Sequence, residues 1–170
     1  MKAIVYERYG GPEVLKIGEV EKPRPGEDQV LVKVMAASVN PADWHMIRGK
    51  PRFSRLSFGL FKPKNQIPGL DIAGRVEEVG DGVSGLKTGD EVFGNAGWGG
   101  GLATFVVTGE NELALKPANL SMEEAASVNV AGITALQGLR HKTRVGKGEK
   151  VLINGASGGV GTFAVQSAKM

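Results

Sequence analysis

Residues 148–169, GEKVLINGASGGVGTFAVQSAK, constrain the fold of this chain more than any other stretch. Val151, Leu152 and Ile153 form a short apolar run behind Glu149 and Lys150, the pattern of a parallel strand covered on both faces. Gly155, Gly158, Gly159 and Gly161 follow within seven positions and lead into a helical segment. A turn that cradles phosphates uses glycines because a Cβ would keep the backbone N–H groups away from the pyrophosphate and hold helix off strand. The N-terminus of the following helix contributes unpaired N–H groups and a positive dipole end. The strict GxGxxG spacing is absent, since Ala156 stands where the first glycine would be.

Gly148, Glu149, Leu152, Ala156, Ser157, Gly158, Gly159, Gly161, Gln166 and Lys169 resemble the signature of the zeta-crystallin-like quinone oxidoreductases in the medium-chain dehydrogenase/reductase superfamily. The resemblance implies hydride transfer from NADPH to quinones, enones or other activated alkenes without zinc. It implies cofactor contacts at Ser157, Gly158, Gly159, Val160 and Gly161. NADH is not excluded, because the residue that reads the adenosine ribose lies about 20 residues beyond the glycine turn, past Met170. The likeness is to the N-terminal half of such an enzyme. Residues 128–170 are therefore expected to be a bridging helix and the truncated start of a Rossmann nucleotide-binding domain, since one strand and one helix cannot cover both faces of such a core.

The first 127 residues read as strand after strand. Segments 3–6, 15–20, 29–38, 72–79, 91–93, 103–108 and 112–115 are β-rich, and in the third Val30, Val32 and Val34 alternate with Leu31, Lys33 and Met35. Glycine and proline punctuate them at 10–12 and 23–26. Such spacing predicts a partly open β-barrel. It resembles the GroES-like catalytic domain of the same superfamily, so the expected fold is mainly β with an α/β C-terminal part. Pro41 suits the first turn of a short helix through Asp43, Trp44 and Met46. Ser121 and Glu124 form a capping box, after which Val130, Ile133, Leu136 and Leu139 make an apolar stripe at helical spacing before His141, Lys142 and Arg144. The resemblance places Thr134 near the nicotinamide, whereas a threonine in such a helix more often bonds back to its own backbone. His141, near the helix C-terminus, is assigned no catalytic role.

The family resemblance also frames the metal question. Zinc-dependent relatives carry a cysteine after the third strand and a His-Glu pair after the next loop. Here Asn40 stands at the first position, and Leu70 and Asp71 at the pair. Leu70 has no ligating atom, and one carboxylate opposite an amide does not make a zinc site. No metal is expected. Asn40-Pro41-Ala42-Asp43-Trp44-His45 resembles the family's Asn-Pro-x-Asp segment beside the nicotinamide. The Asn40 amide is expected to donate to the substrate carbonyl oxygen, where charge develops during reduction. A delocalised enolate or hydroquinone anion takes its final proton from solvent. His45 is a second candidate, as donor or proton relay, or it simply faces solvent. Asp43 is expected to order the local backbone or pair with a nearby base, because a carboxylate beside a developing oxyanion would oppose it. Trp98, in a glycine-rich loop, either covers a planar substrate or anchors packing.

Composition narrows the remaining alternatives. The net charge of +3 is local in origin: Arg48, Lys50, Arg52, Arg55, Lys62 and Lys64 share a segment that holds no acid. Without those six of the 21 basic residues, 15 stand against 18 acids. With Phe53, Leu56, Phe58, Leu60 and Phe61 interspersed, the segment reads either as a lid over a substrate or as a solvated insertion whose aromatics tuck onto their own domain, the latter being the plainer reading. No nucleic-acid motif accompanies these charges. A hydrophobic content of 41% without an apolar run of about 20 residues implies no membrane span. The absence of cysteine excludes disulfides and thiolate metal sites and is consistent with the cytoplasm. Two other functions stay open beside the quinone or enone reductase: a non-zinc alcohol or aldehyde reductase relying on His45, and a non-catalytic GroES-like module binding a partner through 48–64. Homodimer formation is an expectation from the family alone.

Overall fold

A computed structural model describes residues 1–142 and 145–169, with the side chains of 141 and 142 outside the description. The basic helix end at His141, Lys142 and Arg144 thus falls outside the described side chains. The chain forms two compact units, Met1–Ser127 and Val128–Met170.

In the first unit, β1 (Lys2–Val5) and β2 (Lys16–Glu19) form an antiparallel pair. β3 (Gln29–Ser38) leads into α1 (Pro41–Arg48) and a short helical stretch containing α2 (Arg55–Phe58). β4 (Asp71–Val79), β5 (Glu91–Asn95), β6 (Phe105–Gly109) and β7 (Leu113–Leu115) complete an antiparallel five-stranded sheet, ordered β6-β3-β4-β5-β7. The chain at 102–104 bonds to β1 through Ile4 N–H to the Leu102 carbonyl and Thr104 N–H to the Lys2 carbonyl, and Val34 N–H reaches the Thr104 carbonyl. These links join the β1–β2 pair to the sheet margin in the manner of a partly open barrel.

One face of the sheet encloses Val30, Val32, Ile72, Val76, Val92, Ala96 and Val106. The other carries α3 (Met122–Ala126), whose Ala125 and Ala126 pack with Ala73. The expected alternation in β3 holds for Val30 and Val32 inside and Lys33 and Met35 outside, but Leu31 is fully buried too. Register shifts at Leu31/Val32 and Val34/Ala36 break the strict period of two. After the second shift Ala36 faces the α3 cluster.

The Ser121 capping box forms at α3: Glu124 N–H donates to Ser121 Oγ at 3.1 Å, and Ser121 N–H donates to Glu124 Oε2 at 2.8 Å. In the second unit α4 (Asn129–Gln137) continues into a π turn at Gly138–Lys142 and packs on α5 (Gly159–Ser167). Two expectations fail in this unit. The buried face of α4 is Ala131 and Ala135, one turn apart, while Ile133 and Leu136 of the expected apolar stripe are exposed. Small residues win because α5 approaches closely there, with Gly159 beside Ala131 and Gly132 beside Phe163. Val151–Ile153 is extended but belongs to no sheet, and Leu152 is 96% exposed. A strand exists through the hydrogen bonds of its neighbours, and the described residues of this unit contain no second strand to supply them.

The capping box gives a direct stability test. Ser121→Ala is expected to cost about 1 kcal/mol in urea unfolding. Adding Glu124→Ala should lower the midpoint by less than the sum of the single effects, since the two bonds serve one helix start.

Candidate functional site

The end of β3, the start of α1 and the turn before β4 converge on two buried carboxylates. Asp71 pairs across the sheet with Ser38 on one side and Asn95 on the other, and it is fully buried. Its Oδ2 accepts from Asn40 Nδ2 at 3.0 Å and from Ser38 Oγ at 3.3 Å. Asp43, 1% exposed, lies at the third position of α1. Its Oδ2 accepts from Asn40 N–H at 2.8 Å and its Oδ1 from Gly69 N–H at 3.0 Å. Gly69 has φ +101°, and a Cβ there would stand 2.6 Å from the Leu102 nitrogen. Burial pushes the Asp43 carboxyl above its ordinary value of 3.8; the N–H groups of Asn40 and Gly69 oppose that rise, and the nearby Asp71 reinforces it. Asp43 thus orders backbone, as its position suggested.

Asn40 is held from two sides, its main-chain N–H by Asp43 and its side-chain amide by Asp71. The amide nitrogen also donates to Ser38 Oγ at 3.3 Å, so both of its hydrogens have acceptors inside the protein. The expected donation from Asn40 to a substrate carbonyl is therefore not set up here. Asn40 is in this state a positioning residue. His45 lies on the exposed side of α1, its ring edge-on to Trp44 with centroids 4.7 Å apart. The structure does not bring His45 to the Asn40 cluster. Leu70 is buried, and among the described residues there is no group of three or more His, Asp or Glu side chains arranged to hold a metal. The donor set at 40, 70 and 71 does not fit Zn²⁺: Leu70 offers no ligand, and the Asn40 amide nitrogen faces the only carboxylate.

The basic segment is not uniformly solvated. Arg55 Nε donates to the Gly49 carbonyl at 3.0 Å, so a cation closes the C-terminal end of α1. Its guanidinium lies 4.4 Å from the Tyr9 ring centroid, and Tyr9 Oη donates to the Gly59 carbonyl at 2.6 Å. Of the aromatics, Phe58 is half-buried against Trp98 with ring centroids 5.6 Å apart. Phe53, Leu56, Leu60 and Phe61 are exposed, contrary to the expectation that this segment's apolar groups tuck onto the domain. Trp98 itself remains 72% exposed.

In the second unit the glycines divide by role. Gly155 has φ +73° and its carbonyl accepts from Gly158 N–H at 3.0 Å. At Gly161 a Cβ would lie 2.2 Å from that same carbonyl, so glycine there serves the protein's own packing. At Gly158 and Gly159 the nearest atoms to an added Cβ stand at 3.4 and 4.0 Å. The protein leaves that side open. Gly158 caps α5, and the first-turn N–H groups of Gly159, Val160 and Gly161 have no intrahelical acceptor. Ser157, Gly158, Gly159 and Val160 are exposed around this turn. Thr134 Oγ1 donates back to the Val130 carbonyl at 2.5 Å. Thr134 and Val160 nonetheless line the same hollow of about 780 Å³, together with Val151, Leu152, Ile153 and Ala164.

Sequence reasoning passed over the Asp71–Ser38–Asn40 bonding, because Asp71 registered only as a lone carboxylate at a metal position. The alternation of β3 and β4, which sets Ser38 opposite Asp71, was the available signal. Arg55 as a helix closure carried no local signal, since it stood among five other bases.

Residues 26–118 match the family described as Alcohol dehydrogenase GroES-like domain. The chain is 41% identical to a quinone oxidoreductase of Lama guanicoe, over 99% of this chain and 49% of that protein. It is 39% identical to a chloroplastic NADPH-dependent alkenal/one oxidoreductase of Arabidopsis thaliana, over 99% of this chain and 44% of that one. Among solved structures, the quinone oxidoreductase from Coxiella burnetii superposes with a TM-score of 0.88 at 38% identity, covering 99% of this chain and 53% of that chain. The chain spans about half the length of the curated relatives it matches.

The buried Asp43 gives a pH-dependent expectation. Asp43→Ala strands two N–H donors and should cost about 2 kcal/mol. A carboxyl raised by folding contributes stability that is complete below its unfolded pKa and is lost as pH rises through its folded one. Denaturant titrations at pH 4 and pH 7 should therefore show a larger Asp43→Ala penalty at pH 4.

Proposed function

We propose, for a chain that belongs to the alcohol dehydrogenase GroES-like domain family, that it forms part of a zinc-independent oxidoreductase that uses NADPH to reduce a quinone, enone or related activated carbonyl compound. The observation that carries the reading is the glycine turn of the second unit. Its open side lies at Gly158 and Gly159, where glycine answers no packing need of the protein, and the first turn of α5, exposed at Gly159 and Val160, stands beside it. A dinucleotide pyrophosphate fits that cradle. Bound there, NADPH would supply the reducing hydride.

The chain's own residues then have distinct tasks. Ser157 offers a hydroxyl, and the backbone N–H groups of Gly159, Val160 and Gly161 offer donors, to phosphate oxygens. Thr134 and Val160 line one hollow of the second unit. Asn40, fixed by Asp71 and Asp43, keeps the start of α1 in place. An Asn40 amide that donates to the substrate carbonyl must first give up its bond to Asp71 or Ser38. NADPH as the reductant rests on the alkenal/one oxidoreductase relative, whose name specifies it, and zinc independence rests on the unfit donor set at 40, 70 and 71.

Gly158→Ala separates a cofactor role from a packing role. The added methyl meets nothing closer than 3.4 Å, so the melting temperature should hold. The affinity for NADPH, measured by calorimetry, should nevertheless fall about tenfold or more through lost approach of the phosphate to the amides. An unchanged affinity, or no saturable binding to the parent chain, contradicts the reading.

A further inference from the structure

Segment 48–64 of the first unit leaves large apolar side chains in water among cations. Phe53 and Leu56 are each 74% exposed, and Phe61 is 89% exposed with Leu60 beside it at 54%. Phe53 and Leu56 stand three residues apart in the continuous helical stretch Arg52–Ser54 and Arg55–Phe58, so they share one side of it. Leu60 and Phe61 occupy the turn that follows. Backbone bonds close that turn: Lys64 N–H donates to the Phe58 carbonyl at 2.7 Å, and the Gly59 carbonyl accepts from Tyr9 Oη at 2.6 Å. Gly59 has φ +120°, and a Cβ there would stand 2.0 Å from the Lys62 carbonyl oxygen. Gly59 and Pro63 are buried while Leu60 and Phe61 between them are exposed. The turn thus holds its two largest apolar side chains outward. Exposed apolar groups clustered in this way mark a contact surface more often than scattered ones do.

The charges around them are unmatched. Arg55 is engaged with the Gly49 carbonyl, and the Arg48 guanidinium lies 4.6 Å from the Trp44 ring centroid. Lys50, Arg52, Lys62 and Lys64 are exposed and form no ion pair among the described residues, and positions 48–64 hold no acid. A partner for this surface has to be anionic and also offer somewhere apolar for two phenylalanines and two leucines. A second copy in a two-fold contact would set bases against bases. Nucleic acid or an acidic protein face satisfies the cations and leaves the apolar groups unserved. A bilayer containing anionic lipid supplies both, with head groups for Lys and Arg and the acyl boundary for Phe and Leu. No described helix is long and apolar enough to cross a membrane, so the contact is peripheral.

We propose that segment 50–64 is a docking surface for an anionic lipid bilayer: Phe53, Leu56, Leu60 and Phe61 enter the head-group region, and Lys50, Arg52, Lys62 and Lys64 pair with lipid phosphates. Every residue involved belongs to Met1–Ser127. Neither the glycine turn nor any reaction enters the argument, so the proposal is independent of the reductase reading.

The test is co-sedimentation of the intact chain with vesicles of phosphatidylcholine alone and of phosphatidylcholine mixed in equal parts with phosphatidylglycerol. The mixed vesicles should bind about a hundredfold tighter, since each base near an anionic surface is worth about fivefold, and added salt should weaken that binding. Replacing the four exposed bases by serine should abolish the preference. Phe53→Ser combined with Phe61→Ser should weaken binding to the mixed vesicles about tenfold or more and leave its salt dependence in place. Both variants should keep the parent melting temperature because the replaced side chains are exposed, and they change separate residues, so misfolding of one leaves the other readable. Equal binding to the two vesicle types, or binding to neither, overturns the proposal. So does undiminished binding by the Phe53→Ser/Phe61→Ser variant, the mark of a general polyanion site, or a stable dimer in light scattering that this variant dissociates, the mark of a second copy on the surface.

Discussion

Two buried carboxylates, Asp71 at the start of β4 and Asp43 in the first turn of α1, govern the geometry of the first unit. An ionisable group removed from water survives only with donors aimed at it. Asp43 obtains them from Asn40 and Gly69, and Asp71 from Asn40 and Ser38. Those bonds fix three chain segments together: the last residues of β3, the first turn of α1 and the turn entering β4. The orientation of α1 follows, and with it the exposure of His45 and the burial of Met46. Asn40 joins the two carboxylates through separate donors, so one residue holds both ends of the arrangement.

The second unit depends on a different economy of space. Gly161 is glycine because the carbonyl of Gly155 leaves no room, whereas Gly158 and Gly159 face open space beside unpaired amides. Proximity of glycines in sequence does not distinguish these roles. Only the surroundings of each absent Cβ do. That division makes the phosphate cradle a property of particular positions rather than of glycine content.

Much of the fold was legible where local rules act alone. The β3 boundaries at 29–38, Pro41 opening a helix and the Ser121–Glu124 capping box all rest on short-range backbone chemistry, and each forms as read. Legibility failed where the outcome depends on a neighbour. Leu31 is buried because the strand changes register there, which no alternation reveals. Ile133 and Leu136 lose to Ala131 and Ala135 because the approach of α5, not apolarity, selects the buried face. The run 151–153 reads as a strand, yet a ladder partner is a property of other residues. At the site, Asn40 was identifiable by type and position, but its commitment to Asp71 was not, since that bond spans 31 residues.

The central claim is that the α5 turn receives the phosphates of a nicotinamide dinucleotide. Amide-resolved NMR of the nitrogen-15-labelled chain titrated with NADPH tests it most directly. The account predicts saturable shifts concentrated at the backbone amides of Gly158, Gly159, Val160 and Gly161, with smaller changes around Thr134. Shifts that spare those amides while the cofactor binds elsewhere, or no saturable shift anywhere, would contradict it.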